Sequence, residues 1–472
     1  MNPCQSLIRN RHPLPVTRSR CAWRITTAAL LAALLPAFVH AETAAPEATA
    51  DAGRAPAVEA PAVRSGMTPL EDVLGEADDP LAPIERQIEA EEFAPAISQL
   101  ERHIEELEAT SHRFDQRLVR PLTLLGDAQA GLGQYDGALG NYQRALHLSR
   151  VNLGLNTPEQ VEIVYREAET YRALGDYEAA NDREEYAYHV LNKVHDPLDE
   201  ALLPGIYHLA DWYRRTNNVF AARALYEQAM QIIDAHGKLE SPEAIPALQG
   251  IATTYRMERF PPNYMSDMEE SSTASASVVT ATAVRPPISV NNFPAGEAAL
   301  QRVIKIRQAR KAEQPVALVE AVLDLADWYT LFDKPRRAEP LYAHAWELMS
   351  EVDGIDVVRY FSEPQLLYFP APSNPSPPPP EERGEAMTGY VEVAFDVTED
   401  GYVRGLRTIG SKPEDLMDFR VRKSLRLARY RPMLVDGVPV AKTAHTYRHE
   451  FPYYAKREAA PQPQTAAAAG GG

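Results

Sequence analysis

Between residues 81 and 353 the chain repeats itself, and the period of the repetition limits the folds open to it. Leu125-Gly126, Leu132-Gly133-Gln134-Tyr135, Ala138, Tyr142 and Ala145 define one helix–turn–helix unit. Tyr171, Leu174-Gly175-Asp176-Tyr177, Ala180 and Ala187 define the next, and Leu209-Ala210-Asp211-Trp212-Tyr213, Asn217, Ala222, Tyr226 and Ala229 a third. A later copy carries Leu325-Ala326-Asp327-Trp328-Tyr329, Ala338, Tyr342 and Ala345. The turn positions fall at 133, 175 and 217, a step of 42. One step on is Arg259, preceded by a helix at Leu248–Met257; one step back is Glu91, followed by Phe93, Ala96 and Leu100. Arg259 to the next turn residue, Asp333, is 74 residues, an excess of 32 over the period. The excess is visible at 261–293, where Pro261-Pro262 and Pro294 bracket the Ser/Thr/Ala-rich Ser271–Thr282. It reads as a disordered loop inserted between the two helices of the fourth unit.

Small residues at the helix contacts let paired helices approach, and each unit buries its apolar stripe only by stacking on the next. The pattern resembles the tetratricopeptide repeat over residues 81–353. The 42-residue step and the connector Leu153-Gly154-Leu155-Asn156-Thr157-Pro158-Glu159 are similar to the longer repeats of the kinesin light chain type. The resemblance implies an all-α superhelix whose first helices line a concave, protein-binding groove. Carried onto this register, the groove positions are Asp127; Tyr165, Glu169 and Arg172; Tyr207, Asp211 and Arg214; Arg256; and Asp327. The alternative for each is a solvated helix position.

After Gly354 the helical period stops. Residues 354–385 are Pro-rich, with Pro370, Pro372, Pro375 and Pro377–Pro380, and read as an extended polyproline spacer or as a recognition motif. Tyr390–Val397 then alternates with period two, Asp400-Gly401 signals a hairpin, and Tyr402–Ile409 returns as a second strand. Residues 415–430 read as a helix, Asp436-Gly437 as a turn and Lys442–Phe451 as a last strand. Gly389-Tyr390-Val391, Asp400-Gly401, Met417-Asp418, Tyr430-Arg431-Pro432 and Asp436-Gly437-Val438-Pro439-Val440 together resemble the C-terminal domain of the TonB family over 386–454. Arg420 departs from the family, which has a small residue there. The resemblance implies a small α+β domain that adds a partner's extended segment to its sheet edge. By the same resemblance the edge is the last strand, Thr443, His445, Tyr447, His449 and Phe451. The alternative is an edge that is capped or paired with a second copy.

The N-terminus carries Arg9, Arg11, Arg18, Arg20 and Arg24, then the apolar run Ile25–Val39 and a small-x-small site at Val39-His40-Ala41. This reads as a signal peptide over 1–41 or, uncleaved, as an inner-membrane anchor at 25–41. Residues 42–80 read as a disordered acidic leader and 455–472 as a disordered tail. Cys4 and Cys21 both fall before residue 42, so neither a disulfide scaffold nor a Cys-based metal site is expected in an exported form. The net charge is −18, and it is unevenly spread. Residues 386–454 hold 11 Lys/Arg and 9 Asp/Glu, whereas 42–385 hold 30 and 56. Such acidity argues against a nucleic-acid binder. No HExxH, phosphate loop or nucleophile elbow occurs, and His445 and His449, four apart on a strand, are too distant to share a metal.

The expectation is therefore a multidomain, non-enzymatic periplasmic adaptor of a Gram-negative cell envelope, without catalytic residues, cofactor, metal or small-molecule substrate. Its repeat groove would hold one protein. Its TonB-like domain would take a strand from another, such as an outer-membrane transporter. The alternative is a TonB-type energy transducer serving transmembrane transport, for which the family uses a retained N-terminal helix with a Ser-x-x-x-His motif. Ile25–Val39 has no such motif.

Overall fold

The computed structural model describes residues 79–261, 293–380 and 382–456. The expected signal, most of the acidic leader, the insertion and most of the C-terminal tail lie outside the described residues. Six helix pairs make up the array: α1 (Ala82–Glu89) and α2 (Phe93–Thr110), α3 (Val119–Gly131) and α4 (Tyr135–Leu153), α5 (Glu159–Leu174) and α6 (Tyr177–Val194), α7 (Leu203–Arg215) and α8 (Val219–Ala235), α9 (Ile245–Arg259) and α10 (Phe293–Gln308), α11 (Pro315–Leu331) and α12 (Pro335–Ser350). The second helices of the first four pairs start at Phe93, Tyr135, Tyr177 and Val219, 42 residues apart. Their turns reverse through a left-handed residue at each period: Glu91 (φ 61°), Gly133 (75°), Gly175 (78°), Asn217 (59°) and, in the last pair, Asp333 (56°). Glycine enters this conformation without steric cost, and Asn and Asp tolerate it, so Gly133, Gly175, Asn217 and Asp333 follow from the geometry, whereas Glu91 does not. The fifth pair differs. α9 runs through Arg259 into Phe260, and its partner α10 begins at Phe293, one period before α12 at Pro335. The 32 extra residues therefore fall inside one helix pair, and α9 and α10 still pack together.

Close helix contact is set by small residues beneath large rings. A Cβ at Gly126 would collide with the ring of Tyr142, one at Gly250 with Tyr226 and one at Gly296 with Trp328. Tyr142 and Tyr342 occupy equivalent places 200 residues apart, and both are fully buried. The array core forms two clusters, one from Leu81 to Val190 and one from Ala180 onward. The second cluster does not stop with the array: it takes in Phe361 and Leu434.

Residues 354–385 depart from the expected spacer. They contain a short helix, α13 (Val357–Tyr360), and a strand, β1 (Gln365–Tyr368), and they bury Phe361 and Phe369. The aromatic and leucine residues between the prolines have apolar faces to hide, which a proline count obscures. Irregular backbone occupies 369–380, and Arg420 fixes part of it by donating to the carbonyls of Ser373 (3.1 Å) and Asn374 (3.0 Å). This residue, unusual for the TonB-like pattern, thus holds the proline segment.

The C-terminal module is built from β2 (Arg383–Val397), β3 (Val403–Lys412), α14 (Asp418–Leu427), β4 (Arg429–Arg431), β5 (Met433–Val435), β6 (Val438–Val440) and β7 (Lys442–Lys456). The main sheet has the order β3-β2-β7, antiparallel throughout, with Val391 opposite His449 and Val393 opposite Tyr447. Met417, Val421 and Leu425 close its core over Val391, Val393, Phe395 and Phe451. The helix expected over 415–430 is shorter. The chain turns extended at Ala428 because β4 pairs with β1, placing Tyr430 (2% exposed) beside Phe395.

Candidate partner-binding surfaces

The first helices of the array present an acidic row at the repeat period: Asp127, Glu169, Asp211, then Thr253, then Asp327. Each carboxylate of the row meets an arginine. Asp127 accepts from Arg166 (2.9 Å) and from the Tyr142 hydroxyl (2.7 Å). Glu169 pairs with Arg172, and Asp211 with Arg214 and Arg215. Arg172, Arg214 and Arg256 form a second row three residues on. Tyr165 stacks on His208, ring centres 3.7 Å apart, and His208 lies 3.0 Å from Glu184. The Tyr207 hydroxyl is buried without a partner among the described residues; burial, and then Tyr226, push its pKa up to about 12. Tyr165, Arg172 and Arg214 are thus in place on the first helices, but both cations already carry neighbouring carboxylates.

Asp327 corrects the expected groove. It is 7% exposed and is occupied by the C-terminal module: Arg431 Nε donates to Oδ1 at 2.9 Å and Nη2 to Oδ2 at 2.5 Å, while the Tyr342 hydroxyl donates to Oδ1 at 2.9 Å. Burial works against the charge on Arg431, but the hydrogen bond and charge of Asp327 prevail and raise its pKa. In the second unit Arg166 of the following unit occupies Asp127. After the last unit no further repeat follows, and the β1–β4 ribbon supplies that arginine instead. The docking continues around it. Asp333, the last turn residue, accepts from Tyr402 (3.0 Å) and Arg429 (3.2 Å). The β5–β6 hairpin inserts Leu434 into the array core, and Gly437 lies against Ala343 and Trp346 of α12. Lys442 pairs with Glu363 at 2.8 Å. The module therefore covers the apolar end that a terminal repeat would otherwise expose.

None of these docking residues was recognised from sequence as a contact. Tyr430-Arg431-Pro432 stood out only as a motif, because a contact 104 residues away leaves no period. One signal existed: the place of Arg166 falls on Leu366 in the last unit, so Asp327 lacked an arginine in its own repeat frame.

In the sheet, β7 pairs with β2 on one side; among the described residues no strand pairs with its other side. Phe451 is buried, and His445, Tyr447 and His449 are half-buried, facing the core beside Phe369 and Phe395. Thr443 is exposed. The expected edge is thus present as backbone, but these inward side chains pack the module, whereas Thr446, Arg448 and Glu450 are exposed. Burial lowers the pKa of His449, whose Nε2 has no partner among the described residues. Burial also lowers that of His445, with Glu363 acting in the opposite sense. Among the described residues no group of three or more His, Cys, Asp or Glu is placed to hold a metal ion, and no helix is long and apolar enough to cross a membrane.

Residues 378–451 match the family described as Gram-negative bacterial TonB protein C-terminal. No curated protein matches the chain. Among solved structures, BtubC (BKLC) from P. vanneervenii is similar at 17% identity and a TM-score of 0.37, over 58% of this chain and 93% of that one. A Podosopora anserina structure of nearly identical TPR-like repeats, ascribed to a kinesin light chain, shows 15% identity and a TM-score of 0.34, over 49% and 93%. The C-terminal part of a TPR repeat-containing protein from Cytophaga hutchinsonii shows 12% and 0.25, over 57% and 96%. The chain is a helical repeat array over 82–350 followed by a small sheet domain of the TonB C-terminal type.

Proposed function

We propose that this chain is a non-enzymatic adaptor of a Gram-negative cell envelope, exported to the periplasm. In this reading β7 takes an extended segment of an envelope protein by strand addition, and the first-helix face of the array holds a second protein. The observation that supports it is the 15-residue β7 strand, hydrogen-bonded on one side, within residues that match a TonB C-terminal family. Main-chain hydrogen bonds would supply affinity there, and the exposed alternate side chains would supply choice.

A photo-crosslinking amino acid at Arg448 or Glu450, on β7, is compared in the full chain with one at Arg407, exposed on β3 at the opposite edge. The two β7 positions are expected to capture an envelope protein that the β3 position does not. No product from either β7 position, or equal products from both edges, would remove the strand-addition reading.

A further inference from the structure

A cavity of about 290 Å³ lies between α9, α10 and α11, walled by Gln249, Thr253 and Arg256 on one side and by Asp324 and Trp328 on another. Its charges are unusual for this array. In the two preceding units the arginine of the second row is neutralised by the carboxylate three residues before it, Glu169 for Arg172 and Asp211 for Arg214. In this unit that place is Thr253, whose hydroxyl cannot neutralise a guanidinium. Arg256 is exposed and has no side-chain hydrogen bond or ion pair among the described residues.

Asp324, on the facing helix, is likewise exposed and without such a partner, and the two do not pair with each other. Asp327, which completes the wall, is already held by Arg431 and Tyr342. One cation and one anion, each without a side-chain hydrogen-bond or ion-pair partner among the described residues, therefore line the same cavity. The surrounding protein, and then the charge of Asp327, push the Asp324 pKa up to about 6, against the smaller opposing pull of Arg256 and Arg431. Trp328, 2% exposed, keeps an indole N–H without an acceptor among the described residues.

We infer that this cavity is a binding site for a small zwitterion, an amino acid or a dipeptide, whose carboxylate pairs with Arg256 and whose ammonium pairs with Asp324. The size suits a small ligand, since the volume lies just below the range of about 300–1,000 Å³ for ligand pockets. Arg256 offers a planar fork suited to a carboxylate, and Gln249 and Thr253 offer neutral hydrogen bonds beside it. The site lies beyond the adaptor reading and does not depend on the β7 edge.

Calorimetric titration of the full chain with glycine, alanine, glutamate, lysine and the dipeptide Ala-Ala tests the site. At least one is expected to bind below about 10 mM, a free energy of roughly 3 kcal/mol. Capping its amine by acetylation or its carboxylate by amidation is expected to weaken binding about tenfold or more. Arg256→Ala and Asp324→Asn should do the same while leaving the helical circular dichroism unchanged. Absence of binding by all five, or equal binding by the capped forms, would overturn the inference. The capped ligands decide the matter even if either variant fails to fold.

Discussion

The Asp327–Arg431 pair makes a quantitative claim about how the array ends. Its side chains are 10% and 17% exposed, whereas those of Asp127 and Arg166 at the equivalent junction are 21% and 30% exposed. Removing one partner of a buried pair costs about 3–5 kcal/mol, because a charge is left without compensation. Asp327 keeps the Tyr342 hydroxyl after Arg431→Met, so the lower end, about 3 kcal/mol, is expected. Arg166→Met, at the wetter junction, should cost only about 1 kcal/mol. Combining Arg431→Met with Asp327→Asn removes both charges while keeping an acceptor for Tyr342, and should return stability to within about 1 kcal/mol of the parent. A double-mutant cycle would then report at least about 2 kcal/mol of coupling, to which the cost of Asp327→Asn alone is added. Amide hydrogen exchange in α11 and α12 is the suitable assay, since the pair staples those helices to the module and local opening there reads the loss directly. The reasoning fails if Arg431→Met costs no more than Arg166→Met. It also fails if the coupling is below about 0.5 kcal/mol, the level of non-interacting sites.

Two further outcomes are expected. Because burial holds the folded pKa of His449 below its ordinary 6.5, its contribution to stability is present above that pH and is lost as the pH falls below it. His449→Phe should therefore gain in melting temperature over the parent between about pH 7.5 and about pH 5; a difference constant across that range would refute it. N-terminal sequencing of the chain recovered from a Gram-negative periplasm should begin at Glu42, as the signal reading requires. A retained Met1 would favour the anchored energy-transducer reading instead.

What was legible in the sequence was whatever repeats or alternates. The 42-residue step located the turns at Gly133, Gly175, Asn217 and Asp333, where a left-handed residue leaves a compositional trace, and by extension the turn at Glu91. It also located the 32-residue excess, and period-two alternation located β2 and β3. The end of the array was not legible, for a physical reason. A solenoid's period states what each unit needs from the next, but not what supplies it when the units run out. Asp327 fits the acidic row of its predecessors, and on that ground it reads as a groove residue. The row itself, however, is a row of carboxylates that meet arginines, so its last member calls for a cation from outside the period. That cation arrives on β4, the same turn of chain that was expected to be the end of a helix. The proline-rich stretch misled in the complementary way. Pro370 to Pro380 does lack regular structure, but Phe361 and Phe369 on its approach are buried in two different cores. The segment between the modules thus joins them rather than spacing them, and Arg431, Arg429 and the Leu434 hairpin complete the contact.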